Sequence, residues 1–283
     1  MSALRALLAA ALAVLALLVA GGAHAVERVS FPSFDGAGNA PVVLTGYFFA
    51  AASSPAPAIA MFHGCGGAYD KSGALARRMR EYAELFNGLG MHVLVVDSLT
   101  ARYEKELCTQ RNGKRRVTQA NRRLDALGAI AYLAERSDVD AKRIGLIGWS
   151  NGGSTVLSAT NLHHHDVAAA LVKPAFAIAF YPGCEADLKR GYAPSAPLLM
   201  LVGQLDDWTA SAPCVALAKS VREMRPEIVV YPGAWHGFDS DALVRLRKDV
   251  PNGVNPGLGV HVGGIPAAWR NSRDLVVRFL AAR

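Results

Sequence analysis

The sequence predicts an α/β protein built on a mostly parallel sheet with helices on both faces. Three observations carry this. Short continuous apolar runs alternate along the chain with segments of helical spacing. No linker or internal repeat divides them. One run, Arg143-Ile144-Gly145-Leu146-Ile147, passes through Gly148-Trp149-Ser150-Asn151-Gly152 straight into the helix-like Gly153-Ser154-Thr155-Val156-Leu157-Ser158-Ala159.

The elements read in order. Met1 to Ala25 has one basic side chain, Arg5, then unbroken apolar sequence from Ala6 to Ala20. It ends in Ala23-His24-Ala25, an A-x-A site, so it reads as a signal peptide cleaved after Ala25. The apolar stretch is at the short end for a span, so no stable membrane span is expected after cleavage. Residues 26–283 are expected to form one domain, periplasmic or secreted. Glu27 to Phe31 and Val42 to Phe49 read as an antiparallel edge hairpin, and Ser53 to Pro57 as a turn. Ala58 to Phe62 is a strand, Gly73 to Phe86 a helix, and Met91 to Val96 a strand. Thr118 to Ala134 shows helical spacing at Leu124, Leu127, Ile130, Ala131 and Leu133. Beyond the serine turn, Ala175 to Tyr181, Pro197 to Val202 and Ile228 to Tyr231 read as strands. Ala212 to Met224 and Ala267 to Ala282 read as helices. Ser240 to Gly264 is a long irregular segment placed to roof a site formed near His236.

Glycines flank Ser150 in the pattern G-x-S-x-G, between a strand and a helix. That context describes a turn that exposes a serine hydroxyl and leaves the next backbone N–H at a helix N-terminus. A serine hydroxyl needs a base and an orienting acid. His236 follows the strand ending at Tyr231, where a parallel sheet presents its loops. The acid is sought after Val202, where Asp206 and Asp207 compete; adjacent side chains diverge, so only one can face His236. Cys65 sits in His63-Gly64-Cys65-Gly66-Gly67, just after the strand ending at Phe62. The backbone N–H groups of Cys65 and Asn151 are the expected oxyanion donors. His63 reads as structural, since His236 fills the base role. Trp208 and Trp235 are candidate pocket walls. Trp149 should point away from Ser150 and pack into the sheet.

Together these segments resemble the dienelactone hydrolase family of the α/β-hydrolase superfamily. The resemblance rests on His63-Gly64-Cys65-Gly66-Gly67, Gly148-Trp149-Ser150-Asn151-Gly152-Gly153, Gly203 with Asp206-Asp207-Trp208-Thr209, and His236-Gly237-Phe238, and covers about residues 27–283. It implies the α/β-hydrolase fold and, by spacing from Gly203, favours Asp206 as the acid. The Cys108 segment is similar to secreted members. The name-giving enzymes use cysteine where this chain has Ser150. What the resemblance implies is hydrolysis of a small-molecule ester or lactone, with no single substrate named. The alternatives are a peptidase or acyltransferase using the same triad, or a non-catalytic binding protein that keeps the fold.

Composition narrows the rest. The chain has 283 residues, a formal net charge of +7 and four cysteines. An even cysteine count behind a secretory leader predicts disulfides. Three connectivities exist; loops sharing the catalytic edge favour Cys65–Cys108 and Cys184–Cys214. The basic cluster Arg111 to Arg116 reads as a solvated loop rather than an anion-attracting patch, and no nucleic-acid motif accompanies it. His163-His164-His165 with Asp166 has ligand chemistry but lies beyond the serine helix, and no metal is assigned there. The chemistry requires no cofactor. The sequence specifies no oligomeric state.

Overall fold

The computed structural model describes residues 26–36 and 40–283. The expected signal peptide, residues 1–25, lies outside the described residues. Eight strands form one sheet: β1 (Glu27–Pro32), β2 (Val43–Phe49), β3 (Ala56–Phe62), β4 (His92–Asp97), β5 (Val139–Trp149), β6 (Phe176–Phe180), β7 (Leu198–Gly203) and β8 (Glu227–Tyr231). Their order is β1-β2-β4-β3-β5-β6-β7-β8. The pairs β1–β2 and β2–β4 are antiparallel, and every other neighbour is parallel. This is the predicted α/β-hydrolase architecture with its antiparallel hairpin at one edge.

The helices are α1 (Arg77–Gly88), α2 (Gln119–Glu135), α3 (Asn151–Thr160), α4 (His165–Ala169), α5 (Glu185–Arg190), α6 (Ser211–Ser220) and α7 (Pro266–Ala281). Strand alternation sorts the core into two halves. Ala58, Ala60 and Phe62 of β3 point to the face covered by α2, α3 and α6, where Ile130, Val156 and Leu217 meet them. Ile59 and Met61 point to the other face, where Tyr82 and Phe86 of α1 and Val276 of α7 close the core. Both faces are therefore dry, which explains why the strands read as continuous apolar runs rather than alternating ones.

Boundaries differ from expectation where local polar chemistry intervenes. The helix expected from Gly73 begins at Arg77. Asp70 Oδ1 accepts the Ser72 and Ala74 N–H groups and holds that stretch as a loop. The helix expected to reach Met224 stops at Ser220. Val221 is extended and Met224 has φ +49°, just before Pro226. The segment 240–264 contains a small hairpin, β9 (Arg245–Arg247) with β10 (Val260–Val262). Helices α4 and α5 have five and six residues, too short to show a helical period in sequence.

Parallel strands place their C-terminal ends at one edge. His63 follows β3, Ser150 follows β5, Tyr181 follows β6, Asp206 follows β7 and His236 follows β8. All five side chains are buried.

Candidate active site

Ser150 occupies the turn between β5 and α3 with φ +55° and ψ −118°. A non-glycine residue rarely adopts that conformation, and surrounding packing must hold it there. The glycines explain how. A Cβ on Gly152 would lie 2.0 Å from the Phe62 carbonyl oxygen, and one on Gly148 would lie 2.1 Å from the Gly152 oxygen. Only glycine lets β3, β5 and α3 approach this closely. Ser150 N–H donates to the Phe180 carbonyl at 2.9 Å, pinning the turn to β6. Trp149 points away from Ser150 as expected. It is buried, its ring 5.7 Å from Phe180 and stacked.

His236 Nε2 lies 2.8 Å from Ser150 Oγ, and its Nδ1 lies 2.8 Å from Asp206 Oδ2. With Nδ1 protonated toward the carboxylate, Nε2 is free to accept the serine proton. Asp206 is itself held: Oδ1 accepts the Trp208 and Thr209 N–H groups at 2.9 and 2.8 Å. Asp207 turns the other way. Its Oδ2 lies 2.7 Å from His261 Nδ1, and its Oδ1 accepts the His261 N–H at 2.8 Å. The two neighbours that the residue types left open thus bind different histidines.

Cys65 and Asn151 approach Ser150 from the loop after β3 and the start of α3. Neither backbone N–H donates to another group among the described residues. Cys65 is bonded to Cys108, and Cys184 to Cys214. The first bridge ties the Cys65 loop to the segment leading into α2. His63 is structural in its contacts. Its Nδ1 donates to the Gly64 carbonyl at 2.7 Å, and its Nε2 accepts from Ser98 N–H at 3.3 Å. Burial, then the nearby Arg122 charge, pushes its pKa down to about 3, so it stays neutral at ordinary pH.

Two cavities flank Ser150. One, about 260 Å³, is lined by Asn151, Arg115, Gln119, Trp208 and Asn252. The other, about 390 Å³, is lined by Tyr69, Met79, Trp208, Arg245 and Val262. Trp208 borders both, and its ring lies 4.7 Å from that of His236.

A family model of the dienelactone hydrolases matches residues 44–245, well over half of the chain. The chain belongs to the dienelactone hydrolase family. Among solved structures it is similar to esterase 2 of Thermogutta terrifontis phosphoramylated by tabun, at 20% identity, 91% coverage of this chain, 94% of that chain and a TM-score of 0.58. The same esterase with propionate bound gives 20% identity, 92% and 94% coverage and a TM-score of 0.59. A dienelactone hydrolase-like promiscuous phosphotriesterase from metagenomic libraries gives 17% identity, 91% and 98% coverage and a TM-score of 0.60. At these identities the likeness is one of fold. No sequence among curated proteins matches the chain.

Several residues of this dienelactone hydrolase family member differ from their sequence reading. Trp235 walls neither cavity beside Ser150; its ring packs 4.4 Å from that of His261. A turn at Pro232-Gly233, with Gly233 at φ +67°, separates Trp235 from β8, and the ring is taken up by His261. Arg115, read as part of a solvated loop, is half-buried and lines the smaller cavity. Burial lowers its pKa, and among the described residues only its Nε is engaged, donating to the Gln110 carbonyl at 3.3 Å. The histidine run is taken up locally: Asp166 pairs with Arg123 at 2.8 Å, and His164 Nε2 lies 3.7 Å from Asp187. Among the described residues no group of three or more His, Cys, Asp or Glu is placed to hold a metal ion.

Asp239 and Tyr181 escaped the sequence reading. Asp239, buried three residues after His236, accepts from Trp149 Nε1 at 2.9 Å, Tyr181 Oη at 2.7 Å and Arg78 Nη2 at 3.1 Å. It binds the serine turn, the end of β6 and α1 into one network. Tyr181 in turn packs edge-on against His236, with ring centroids 4.7 Å apart. Burial raises the Tyr181 pKa well above its ordinary value, so the hydroxyl remains a donor. The only local hint was an acidic residue just past His236-Gly237-Phe238; its partners come from three distant segments.

Proposed function

We propose that this protein hydrolyses carboxylic esters or lactones through an acyl-enzyme on Ser150. The observation that carries the reading is the continuous chain Ser150 Oγ, His236 Nε2, His236 Nδ1 and Asp206 Oδ2, with 2.8 Å at both links. Ser150 Oγ attacks the carbonyl carbon while its proton passes to His236 Nε2. Asp206 holds the tautomer and stabilises the imidazolium. The tetrahedral oxyanion takes hydrogen bonds from the Cys65 and Asn151 N–H groups. The imidazolium then protonates the departing alkoxide, and a water, activated by the same imidazole, attacks the acyl-enzyme and releases the acid. The serine proton leaves with the alcohol, and the proton taken from water passes from His236 Nε2 to Ser150 Oγ as the acid departs, so the enzyme is restored and no cofactor enters the cycle.

Family membership supports the hydrolytic class, and the tight serine turn supports a nucleophile over a solvated hydroxyl. A leader ending at Ala25 and two disulfides support a chain that acts outside the cytoplasm, as one catalytic domain over residues 26–283. No helix among the described residues is long and apolar enough to cross a membrane.

The test is labelling of the mature protein with a fluorophosphonate, followed by mass spectrometry, beside turnover of a panel of p-nitrophenyl esters and lactones. Ser150 is expected to carry the label. Ser150→Ala is expected to abolish labelling and to reduce turnover by about 10⁴-fold or more with the fold retained. Near-normal turnover by folded Ser150→Ala would sink the mechanism.

A further inference from the structure

Arg122 has no part in the proton path, yet it is the most conspicuous buried charge beside the site. Its relative exposure is 0%. It forms no salt bridge among the described residues, and its Nε has no hydrogen-bond partner. Burial is the main cause that pulls its pKa down to about 10, which still leaves it cationic at neutral pH. A buried arginine held without a contacting carboxylate is destabilising in itself, so its contacts need an explanation.

Those contacts converge on the two strand-end loops that supply the oxyanion donors. Arg122 Nη1 donates to the Asn151 side-chain carbonyl. Arg122 Nη2 donates to the His63 carbonyl at 2.8 Å, two residues before Cys65. Three residues earlier on α2, Gln119 Nε2 donates to the Asn151 main-chain carbonyl at 3.1 Å. The first turns of α2 therefore grip Asn151 at its side chain and its backbone, while reaching across to the Cys65 loop. The helix is well placed to do so: Thr118 and Asn121 form a capping box that fixes its start.

We propose that Arg122 is the positioning residue of the oxyanion hole. One planar guanidinium sets the spacing between the loop bearing the Cys65 N–H and the residue bearing the Asn151 N–H. Its charge, partly offset by the nearby Asp125 and Asp97 carboxylates, adds a fixed positive potential beside the place where negative charge develops. Arginine suits this task because its two Nη groups diverge in a rigid fork, whereas lysine has a single nitrogen on a flexible stem. Donors fixed before the reaction favour the transition state without reorganisation, so the effect belongs on kcat rather than on KM. The inference rests on the serine-hydrolase reading above.

The experiment compares wild type, Arg122→Met, Arg122→Lys and Asn151→Ala. Each is measured for kcat and KM on p-nitrophenyl acetate, for the Ki of phenylboronic acid, which forms a tetrahedral adduct on a serine oxygen, and for Tm. Arg122→Met is expected to lose about 10²-fold in kcat, with KM changed by less than about threefold. Its boronate Ki should rise in step with the fall in kcat/KM. Arg122→Lys should recover part of that loss, and Asn151→Ala, which removes one arm of the grip, should lose about tenfold in kcat with a matching rise in Ki. A purely structural role would lower Tm and leave the kcat and Ki of the folded fraction untouched, and that result would overturn the proposal. So would a kcat loss with unchanged boronate affinity. If Arg122→Met fails to fold, full kcat and full boronate affinity in both folded Arg122→Lys and folded Asn151→Ala would overturn it equally. Wild type that binds neither the boronate nor a fluorophosphonate would instead refute the serine mechanism, a separate outcome.

Discussion

The floor and the roof of the site are built on opposite principles. The floor, made by the ends of β3 and β5 and the start of α3, is close-packed backbone. Gly148 and Gly152 leave no room for a Cβ, and Trp149, Arg122 and His63 are buried around it. The roof, residues 240–264, buries Val250 and Val260 but exposes its tips. Leu243 is 90% exposed and Leu258 71%. Its tethers include the Asp207–His261 pair, the Val254 N–H to the Asp207 carbonyl at 2.8 Å, the Asn252 side chain to the Gln110 carbonyl at 2.7 Å, and the Gly263 N–H to the His236 carbonyl at 3.0 Å. The difference teaches where geometry must be exact and where it can vary. On the proposed mechanism, a proton relay and an oxyanion hole would fail with small displacements, which accords with Ser150, His236 and Asp206 lying on strand ends braced by the core. A loop resting on the rim can change shape without moving Ser150.

The sharpest way to break this comparison uses the adjacent carboxylates, since Asp206 serves the floor and Asp207 the roof. Asp206→Asn is expected to lower kcat by about 10⁴-fold through loss of the correct imidazole tautomer. Asp207→Asn should change kcat by less than about tenfold, with its effect falling mainly on KM as the His261 tether loosens. Steady-state kinetics on one ester decides it, and the reverse ranking would make the roof part of the chemistry.

A paired glycine test comes next. Gly152→Ala puts a methyl 2.0 Å from the Phe62 carbonyl, a backbone atom that cannot step aside. It should cost about 3 kcal/mol or more of stability and remove activity. Gly257→Ala meets nothing within 4 Å and suffers only from its φ of +87°, so about 1 kcal/mol and near-normal turnover are expected. Thermal denaturation of the pair measures the contrast.

The last effect is on pH-dependent stability, and it again belongs to the floor. His63 has a folded pKa near 3 against an ordinary value of 6.5, so the unfolded chain binds the extra proton first. Stability from the neutral imidazole is fully present above pH 6.5 and is lost progressively as pH falls toward 3. His164, also shifted down, adds in the same direction. His63→Asn should lower Tm at pH 7 yet flatten the fall in Tm between pH 6.5 and 4. An unchanged slope would show that His63 does not govern acid sensitivity there.

Much of the floor was legible in sequence because it is local. An apolar run, a G-x-S-x-G turn and a helix start lie within a short stretch of chain, so the strained turn at Ser150 announces itself through the glycines that permit it. The strand order placed His236 and the Asp206-Asp207 pair at the same sheet edge for a similarly simple reason: parallel strands end together. The disulfide pairing followed from the same edge, and the structure contains both expected bridges.

Other features depended on what each side chain meets across the fold. Residue types alone could not separate Asp206 from Asp207, and the family resemblance favoured one; only the packed sheet shows their carboxylates diverging to His236 and His261. Trp235 packs on His261 of the roof, a partner 26 residues along the chain that only the folded 240–264 segment brings to it. Arg115 enters a cavity that exists only once the 110–116 loop meets Asn252. Asp239 and Arg122 gather partners far apart in the chain, and their significance is invisible until those segments meet. Amino-acid order by itself determined the fold class and the strained serine turn, because both arise from short-range sterics and apolar periodicity. Tertiary structure decided which polar side chains share the site, because hydrogen-bond partners are chosen by distance in space rather than along the chain.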